Sequence, residues 1–220
     1  AWEGLWFLVP EQESLTRFEP NGTLPPATGD ELLLLLWPYD DLKPYLAALP
    51  HPAQVEAHGG PLTRGDLEEK AYPAYGSYLV EPLGEQRGAP IARFGESIEL
   101  IDVTIEAQGD TWDIRLMWRT QEQIEDDYTV FVYAFDGQCV GDQLVAQDDA
   151  RPGDGYYPSD WWHPGDLVVD VHTLQLPPGG LTMPRIALGL YGWPELERLP
   201  VTRTWGALSS EDMLILSVGD

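Results

Sequence analysis

One stretch of the chain concentrates residue types that bind sugars and metals: Asp149–Asp166, which reads DARPGDGYYPSDWWHPGD. Proteins bind sugars by stacking the sugar ring on an exposed aromatic face, while nearby carboxylates hold the hydroxyl groups. We expect the faces of Tyr156 and Trp162 to be exposed. The alternative is that the same rings cap the end of a hydrophobic core. The candidate glycan-binding residues are Tyr156, Tyr157, Trp162, His163 and Asp160.

Aspartates in and before this stretch suggest a second chemistry, the binding of a structural Ca²⁺. Calcium takes ~6–8 oxygen ligands, and the loops between residues 136 and 160 contain six aspartates. Their spacing matches no EF-hand loop, and solvated turn aspartates are the alternative interpretation. The candidate metal ligands are Asp148, Asp149 and Asp154, and Ca²⁺ is the one cofactor that the sequence suggests.

Evidence for catalysis is weaker. Asp170 and His172 are two residues apart on a predicted strand, so they face the same side. No nucleophile-elbow, zinc-protease or phosphate-loop motif accompanies them, and neither His51 nor His58 has an evident partner in the sequence. With 37 Asp and Glu residues, some carboxylate pair suited to glycoside hydrolysis always exists. We therefore predict no catalytic residue, and a glycoside-hydrolase-like enzyme remains the third hypothesis.

The charge of the chain limits its partners. Asp and Glu number 37 against 12 Lys and Arg, which gives a formal charge of −25 and a pI near 4.2. A field of this sign repels phosphate backbones, so no nucleic acid is expected as a partner. The single cysteine, Cys139, excludes an intramolecular disulfide. The longest apolar run, Leu32–Trp37, is far shorter than the ~20 residues of a spanning helix.

Residues 1–90 read as a small α/β module. Strands are predicted at Glu3–Val9, at Glu31–Trp37 and at Gln54–His58, and another at Tyr75–Glu81. The run Glu31–Trp37 is apolar on both faces, which predicts a central buried strand. A helix over Asp40–Leu49, capped by Asp40 or Asp41, precedes the third strand and implies a β-α-β unit.

Residues 91–220 show a different rhythm of short strands and Gly/Pro turns. In Thr111–Thr120 the side chains of Trp112, Ile114, Leu116 and Trp118 share one face, as in a half-buried strand. Such a series predicts an antiparallel, jelly-roll-like β-sandwich. The fold class is therefore α+β but mainly β. The predicted strands are Ser97–Ile105, Thr111–Thr120, Tyr128–Phe135, Leu144–Asp148, Asp166–Leu176, Arg185–Tyr191, Val201–Thr204 and Met213–Val218.

A fixed order of strand and turn residues resembles a known group of proteins. The series is Tyr128-Thr-Val-Phe-Val, Val145-Ala-Gln-Asp-Asp, Pro152-Gly, Tyr157-Pro-Ser, Trp161, Pro164-Gly-Asp, Leu176-Pro, Leu188-Gly-Leu-Tyr and Arg198-Leu-Pro-Val. It resembles the C-terminal extracytoplasmic sandwich of bacterial, especially Chloroflexi-type, multi-spanning membrane proteins. Those proteins are similar to polyprenyl-phosphate-sugar-dependent glycosyltransferases of the protein-mannosyltransferase-like group. The segment from Gly29 to Leu46, followed by Gln54-Val-Glu56, resembles the short α/β region between the last membrane span and this sandwich.

The resemblance implies a role without catalysis. The catalytic carboxylates of that group lie in its membrane part, and no residue here matches them; Trp161 matches a position that is structural. It also implies an extracytoplasmic domain, attached to the membrane through a missing N-terminal portion. Its partners would be a glycan or envelope acceptor and the membrane domain of the parent chain. The alternative is a purely structural or protein-interaction β-sandwich.

Overall fold

The computed structural model describes residues 31–64, 70–83, 88–137, 143–203, 208–210 and 212–218. The predicted strand Glu3–Val9 lies outside them. The elements, in chain order, are β1 (Leu32–Leu36), α1 (Lys43–Leu46), β2 (Ala53–Gly59), β3 (Leu62–Thr63), β4 (Tyr72–Pro73), β5 (Gly76–Pro82), β6 (Ala92–Phe94), β7 (Ile98–Gln108), β8 (Thr111–Thr120), β9 (Tyr128–Asp136), β10 (Gln143–Ala150), β11 (Leu167–Gln175), β12 (Pro184–Gly192), β13 (Glu197–Arg198), β14 (Val201–Arg203), β15 (Leu208–Ser210) and β16 (Met213–Ser217).

Two larger sheets organise the described residues. The first has the strand order β1-β5-β2-β11-β8-β7-β6-β14, and the second has the order β10-β9-β12-β16-β15, with β13 beside β12. Neighbouring strands are antiparallel apart from the parallel pair of β2 and β11, where Val55 lies opposite Val168. The chain is therefore mainly β and built from antiparallel sheets.

The two sheets share one hydrophobic core, as in a β-sandwich. Alternate side chains of β8, among them Ile114 and Trp118, belong to the same buried cluster as Val132 of β9 and Leu188 of β12. Burial of large apolar side chains stabilises the fold by about 1.5–3 kcal/mol each relative to an exposed position. The predicted inward face of Thr111–Thr120 is confirmed, because its four apolar side chains are buried.

The prediction that Glu31–Trp37 is a central strand is wrong. Among the described residues, β1 is the outermost strand of its sheet and pairs with β5. Leu33 accordingly has 63% of its surface exposed, whereas Leu34 and Leu36 point into the core. A run of leucines fits either position, because apolarity on both faces does not by itself indicate a neighbour on each side.

The helix is shorter than predicted, and its proposed cap is wrong. The helix α1 has four residues, and its N-cap is Leu42, which has no side-chain capping bond. Asp40 and Asp41 lie ahead of that position. The apolar spacing is nevertheless correct, because Leu42, Leu46 and Leu49 are all buried. None of the described helices has the length and apolar character that crossing a membrane requires.

Apart from the short pair of β3 with β4, the strands of the first segment do not form a sheet of their own. Because β5 lies between β1 and β2, these two strands run parallel without pairing, so the expected β-α-β unit has no adjacent strands. The strand β2 pairs with β11 of the predicted sandwich, so one sheet continues across residue 90. The division into two domains at that residue stays a prediction.

Candidate functional site

The long connection between β10 and β11, residues 151–166, is held by specific backbone contacts. It begins with a tight turn over Pro152–Gly155, in which Gly153 has φ of 59°. The N–H of Gly153 donates to the buried carboxylate of Asp170 over 3.0 Å. A Cβ atom on Gly153 would lie 3.0 Å from the Cβ of Ala57, so the turn packs directly on β2. Glycine is needed here for its backbone angle and for its size.

The other end of the connection is held by Asp166, whose carboxylate is fully buried. It accepts hydrogen bonds from the N–H of Ala53 over 2.9 Å, from the N–H of His163 over 3.2 Å and from the hydroxyl of Tyr157 over 3.3 Å. Burying a carboxylate is costly unless donors surround it. Asp166 therefore joins the loop to the start of β2 and gives the loop one conformation.

His51 also has a partner, contrary to expectation. Its Nδ1 lies 3.0 Å from both oxygens of Asp166, and its ring stacks on that of His163 with 3.7 Å between the centroids. Burial and the neighbouring His51 lower the pKa of His163. His58 pairs with Glu56 over 2.9 Å on the sheet surface. His51 thus pairs with a carboxylate that is distant in the sequence, and His58 pairs with one two residues away on the same strand.

Asp170 and His172 face the same side of β11, as predicted, but together with Asp148 they form a hydrogen-bonded cluster around the buried His172 ring. The Nε2 of His172 lies 3.0 Å from Asp170, and its Nδ1 lies 2.9 Å from Asp148 on β10. Burial alone would lower the pKa of His172, but the charge of Asp170 and the bonds to both carboxylates raise it to about 10. An imidazolium with both N–H groups engaged and no exposed surface connects the two sheets.

Two of the predicted glycan-binding rings are buried. Tyr157 and Trp162 have no exposed surface, and the indole N–H of Trp162 donates to the carbonyl of Tyr157 over 3.0 Å. The expectation that Trp162 shows its face to solvent is therefore wrong. The indole fills the core while its polar atom is satisfied within the loop, so nothing favours exposure. Tyr156 is only half-buried, so its ring still reaches the surface.

An open cleft of about 500 Å³ lies between this loop and the segment that follows β1. Tyr156 and Trp161 supply its aromatic surface. The ring of Tyr156 packs over the backbone of Gly59 and Gly76, because a Cβ on either glycine would lie 2.9 Å from it. The lining residues of this large cleft are Pro38, Asp40, Leu42, Ala150, Arg151, Asp154, Gly155, Tyr156 and Trp161.

The large cleft has an excess of negative charge. Arg151 forms an ion pair with Asp127, so its charge is already matched. No ion pair joins Asp40 or Asp154 to a cation within the described part of the chain. Burial, Tyr39 and Asp154 raise the pKa of Tyr156, which keeps its phenol protonated as a hydrogen-bond donor. The arrangement combines ring faces with carboxylate acceptors and a phenol donor.

An aromatic strip of Trp37, Tyr39 and Tyr72 continues from the large cleft. The ring centroids of Trp37 and Tyr39 are 5.6 Å apart, and those of Tyr39 and Tyr72 are 5.9 Å apart. Tyr39 has 62% of its surface exposed. It stands between Pro38 and Asp40, which line the cleft. Sequence reasoning missed this strip, although the turn Trp37-Pro-Tyr-Asp-Asp41 places two aromatic residues beside a proline and two carboxylates.

A second cleft, of about 410 Å³, lies on the other side of Trp161. Here the ammonium of Lys43 pairs with Asp160 over 3.2 Å. The second oxygen of Asp160, Oδ1, is buried and has no hydrogen-bond partner among the described residues. The predicted residues Asp160 and His163 therefore line this small cleft, whereas Tyr156 lines the large one. Its lining residues are Lys43, Leu46, Ala47, Gln123, Ile124, Glu125, Asp160, Trp161 and His163.

The structure does not bring the predicted metal ligands together. Asp148 bonds to His172, and Asp149 accepts from the hydroxyl of Tyr133 over 3.2 Å. Asp154 instead lines the large cleft. In the ranges that the structure describes, no group of three His, Cys, Asp or Glu side chains is placed to hold a metal ion. Neighbouring residues on a strand point to opposite faces, which separates Asp148 from Asp149.

Sequence reasoning also missed two ion-pair groups on the outer face of the larger sheet. Glu99 is buried and accepts from Arg119 over 2.8 Å and from Arg93 over 2.5 Å. The hydrogen bond from His58 and the ion pair with Arg115 lower the pKa of Glu56 to about 2. Glu99 lies opposite Arg119 on a neighbouring strand, which is evident only once the register is known, whereas Glu56 and Arg115 lie on strands separated by β11.

No protein-family model and no curated protein matches the sequence. Among solved structures, the crystal structure of the C-terminal domain of Wzt is similar over 61% of this chain and 80% of that chain. The two have 12% sequence identity and superpose with a TM-score of 0.37. This distant likeness carries no statement about the activity of the chain.

Proposed function

We propose that this chain is a non-catalytic glycan-recognition domain. The observation that carries the proposal is the large cleft, which the rings of Tyr156 and Trp161 line together with Asp40 and Asp154. The two carboxylates have no cationic partner in the part of the chain that the structure describes. Apolar ring faces pack against the C–H faces of a sugar, while carboxylates accept from its hydroxyl groups. Its volume lies within the ~300–1,000 Å³ of small-molecule sites.

The setting of the domain belongs to the same proposal. On the resemblance described above, the domain lies outside the cytoplasm. It is attached to the membrane part of a glycosyltransferase-like protein and recognises the glycan or envelope acceptor. The finer architecture, a jelly-roll sandwich preceded by an α/β module, is proposed as well. The jelly-roll part of this proposal is supported by a chain that passes repeatedly between the two sheets, as from β8 to β9 and from β10 to β11.

Binding to a glycan array with the purified chain is the direct test, followed by calorimetry on the best glycan. We expect Trp161→Ala to weaken binding by about tenfold or more, as for a central aromatic contact. Trp161→Phe should restore part of the affinity, because a ring face is kept.

The matched control is Trp193→Ala. Trp193 has 73% of its surface exposed and lines neither cleft, so its removal should leave binding unchanged. Melting curves of each variant separate lost binding from lost folding. No binding to any envelope glycan by the folded wild-type chain would remove the proposal. Hydrolysis of a bound glycan would instead favour the glycoside-hydrolase alternative.

A second candidate function is protein interaction, favoured by an exposed leucine on the outermost described strand of the larger sheet. Leu33 of β1 has 63% of its surface exposed. An outermost strand with an apolar side chain in solvent offers backbone groups and apolar surface to a partner. Under this hypothesis the membrane domain of the parent chain is the partner, and Leu33→Asp would abolish its co-purification with the domain while glycan binding stays intact.

A further inference from the structure

The surface around Trp161 extends beyond the space that one sugar ring occupies. Trp161 lines both the large and the small cleft, so the two share a wall. On the far side of the large cleft, Pro38 and Asp40 lead directly to Tyr39 of the aromatic strip. Three surfaces are therefore adjacent: the strip, the large cleft and the small cleft.

Each of the three surfaces offers groups that suit a sugar unit. The strip provides the exposed side chain of Tyr39, whose ring lies beside that of Trp37. The large cleft provides rings and carboxylates. The small cleft provides Lys43, Glu125 and the carboxylate of Asp160 as polar groups.

The charges of these surfaces disfavour acidic sugars. Both nearby cations are already neutralised, Arg151 by Asp127 and Lys43 by Asp160. The carboxylates of Asp40, Asp154 and Glu125 have no cationic partner among the described residues. A uronate or phosphate group entering either cleft would thus meet like charge, in a chain whose formal charge is −25. Like-charge juxtaposition is a common source of discrimination between ligands.

We infer that the site takes an extended oligosaccharide of neutral or amino sugars, which runs along the aromatic strip and the large cleft and passes Trp161 into the small cleft. The inference rests on the proposed glycan-recognition function and adds to it the length and the charge class of the ligand. A single sugar would contact only one of the three surfaces. Chain length, therefore, should determine affinity.

The test measures calorimetric binding of the whole chain to two length series: mannose, mannotriose and mannohexaose, and N-acetylglucosamine with its trimer and hexamer. We expect one hexamer to bind at least about tenfold more tightly than its monosaccharide, because the further rings add contacts without a new association event. Tyr39→Ala and Glu125→Ala should each weaken the hexamer and leave the monosaccharide unchanged. Both side chains are exposed, so neither change threatens the fold.

Charge selection is tested with the hexamers of glucosamine and of galacturonic acid. The galacturonate hexamer should bind at least about tenfold more weakly than the glucosamine hexamer, and this difference in affinity should shrink in high salt. Tyr39→Ala keeps the net charge, so an affinity for the glucosamine hexamer that this change does not lower would reflect non-specific attraction to an acidic protein.

The outcomes separate this inference from the function on which it rests. Equal affinity for monosaccharide and hexamer, or a hexamer affinity that neither Tyr39→Ala nor Glu125→Ala changes, overturns the extended site while glycan recognition stands. Tight binding of the galacturonate hexamer overturns the charge class alone. No binding to any of these sugars or to the glycan array removes the proposed function together with the inference.

Discussion

At the scale of single residues, His172 shows how a sequence pattern for catalysis becomes a structural contact. An Asp-x-His pair on a strand is compatible with acid–base chemistry, yet both ring nitrogens bond to carboxylates, and the ring is shielded from solvent. The hydrogen bond from His172 lowers the pKa of Asp148. A charged histidine between two carboxylates therefore stabilises the association of β10 with β11 and is unsuited to proton transfer with a ligand.

The first prediction concerns how the stability contributed by the cluster of His172, Asp148 and Asp170 depends on pH. The pKa of His172 is raised from 6.5 to about 10 in the folded chain. Its stabilisation is then complete below pH 6.5 and is lost as the pH rises through 10, because the unfolded chain releases the proton at lower pH. We expect His172→Asn to lower the free energy of unfolding at pH 6 by about 3–5 kcal/mol, as for a broken buried pair.

Urea denaturation at a series of pH values measures this effect. The difference between the wild-type chain and His172→Asn should shrink as the pH approaches 10. His58→Gln is the control, because His58 pairs with Glu56 at the surface, where ion pairs contribute about 0–1 kcal/mol. A difference between the wild-type chain and His172→Asn that is independent of pH would show that His172 acts by packing rather than by charge.

At the scale of elements, local sequence predicted where strands form but not where they lie in a sheet. The alternation in Thr111–Thr120 reproduces β8 at both ends, because each inward side chain is large and apolar. The position of β1 at the margin depends instead on pairing between Leu32–Leu36 and β5, which is non-local. The burial of Trp162 likewise depends on the turn Ser159–Trp161, and no periodicity reports the direction of a loop side chain.

The candidate site was predicted only in part, because its two clefts also depend on non-local contacts. Tyr156, Asp160 and His163 line the clefts, but they lie on different sides of Trp161. The opposite walls come from Pro38 and Lys43, more than 100 residues earlier in the sequence. A cleft formed by two distant segments becomes visible only when the strands that carry them are placed in one sheet. The residues of the loop alone could not reveal it.

The second prediction concerns the turn that shapes the large cleft. Gly153 and Gly109 have similar backbone angles, with φ of 59° and 65°. A Cβ on Gly109 would meet nothing within 4 Å, whereas one on Gly153 would lie 3.1 Å from the carbonyl oxygen of Ala57. Both substitutions by alanine carry the ~1–2 kcal/mol penalty of the left-handed region. The free energy of unfolding should fall by about 1–3 kcal/mol more in Gly153→Ala than in Gly109→Ala, because overpacking against Ala57 adds to the backbone penalty.

Thermal and urea denaturation of both variants measures the difference. We also expect Gly153→Ala to weaken glycan binding, since Asp154 and Gly155 of the same turn line the large cleft. Gly109→Ala should leave binding intact, because the turn between β7 and β8 contributes nothing to either cleft. Equal losses of stability in the two variants would mean that the loop moves away from Ala57 without cost.

At the scale of the whole molecule, the sheet and the core join the two segments that composition separates. Before residue 91 the sequence alternates strand and helix patterns, and after it the pattern is strands and turns, which predicts two domains. Yet β2 pairs with β11, and Asp166 accepts from the N–H of Ala53, so the segments share hydrogen bonds. Val55 of the first segment and Val168 of the second lie in the same buried cluster.

The third prediction follows from this shared core, because residues that lose their packing together unfold together. We expect one cooperative transition, in which circular dichroism and tryptophan fluorescence coincide and the calorimetric enthalpy equals the van't Hoff enthalpy. Val55→Ala, at the pairing of β2 with β11, should lower the single melting temperature, because it leaves a cavity costing about 1–4 kcal/mol. Two transitions, of which Val55→Ala shifts only the first, would instead establish a domain boundary near residue 90.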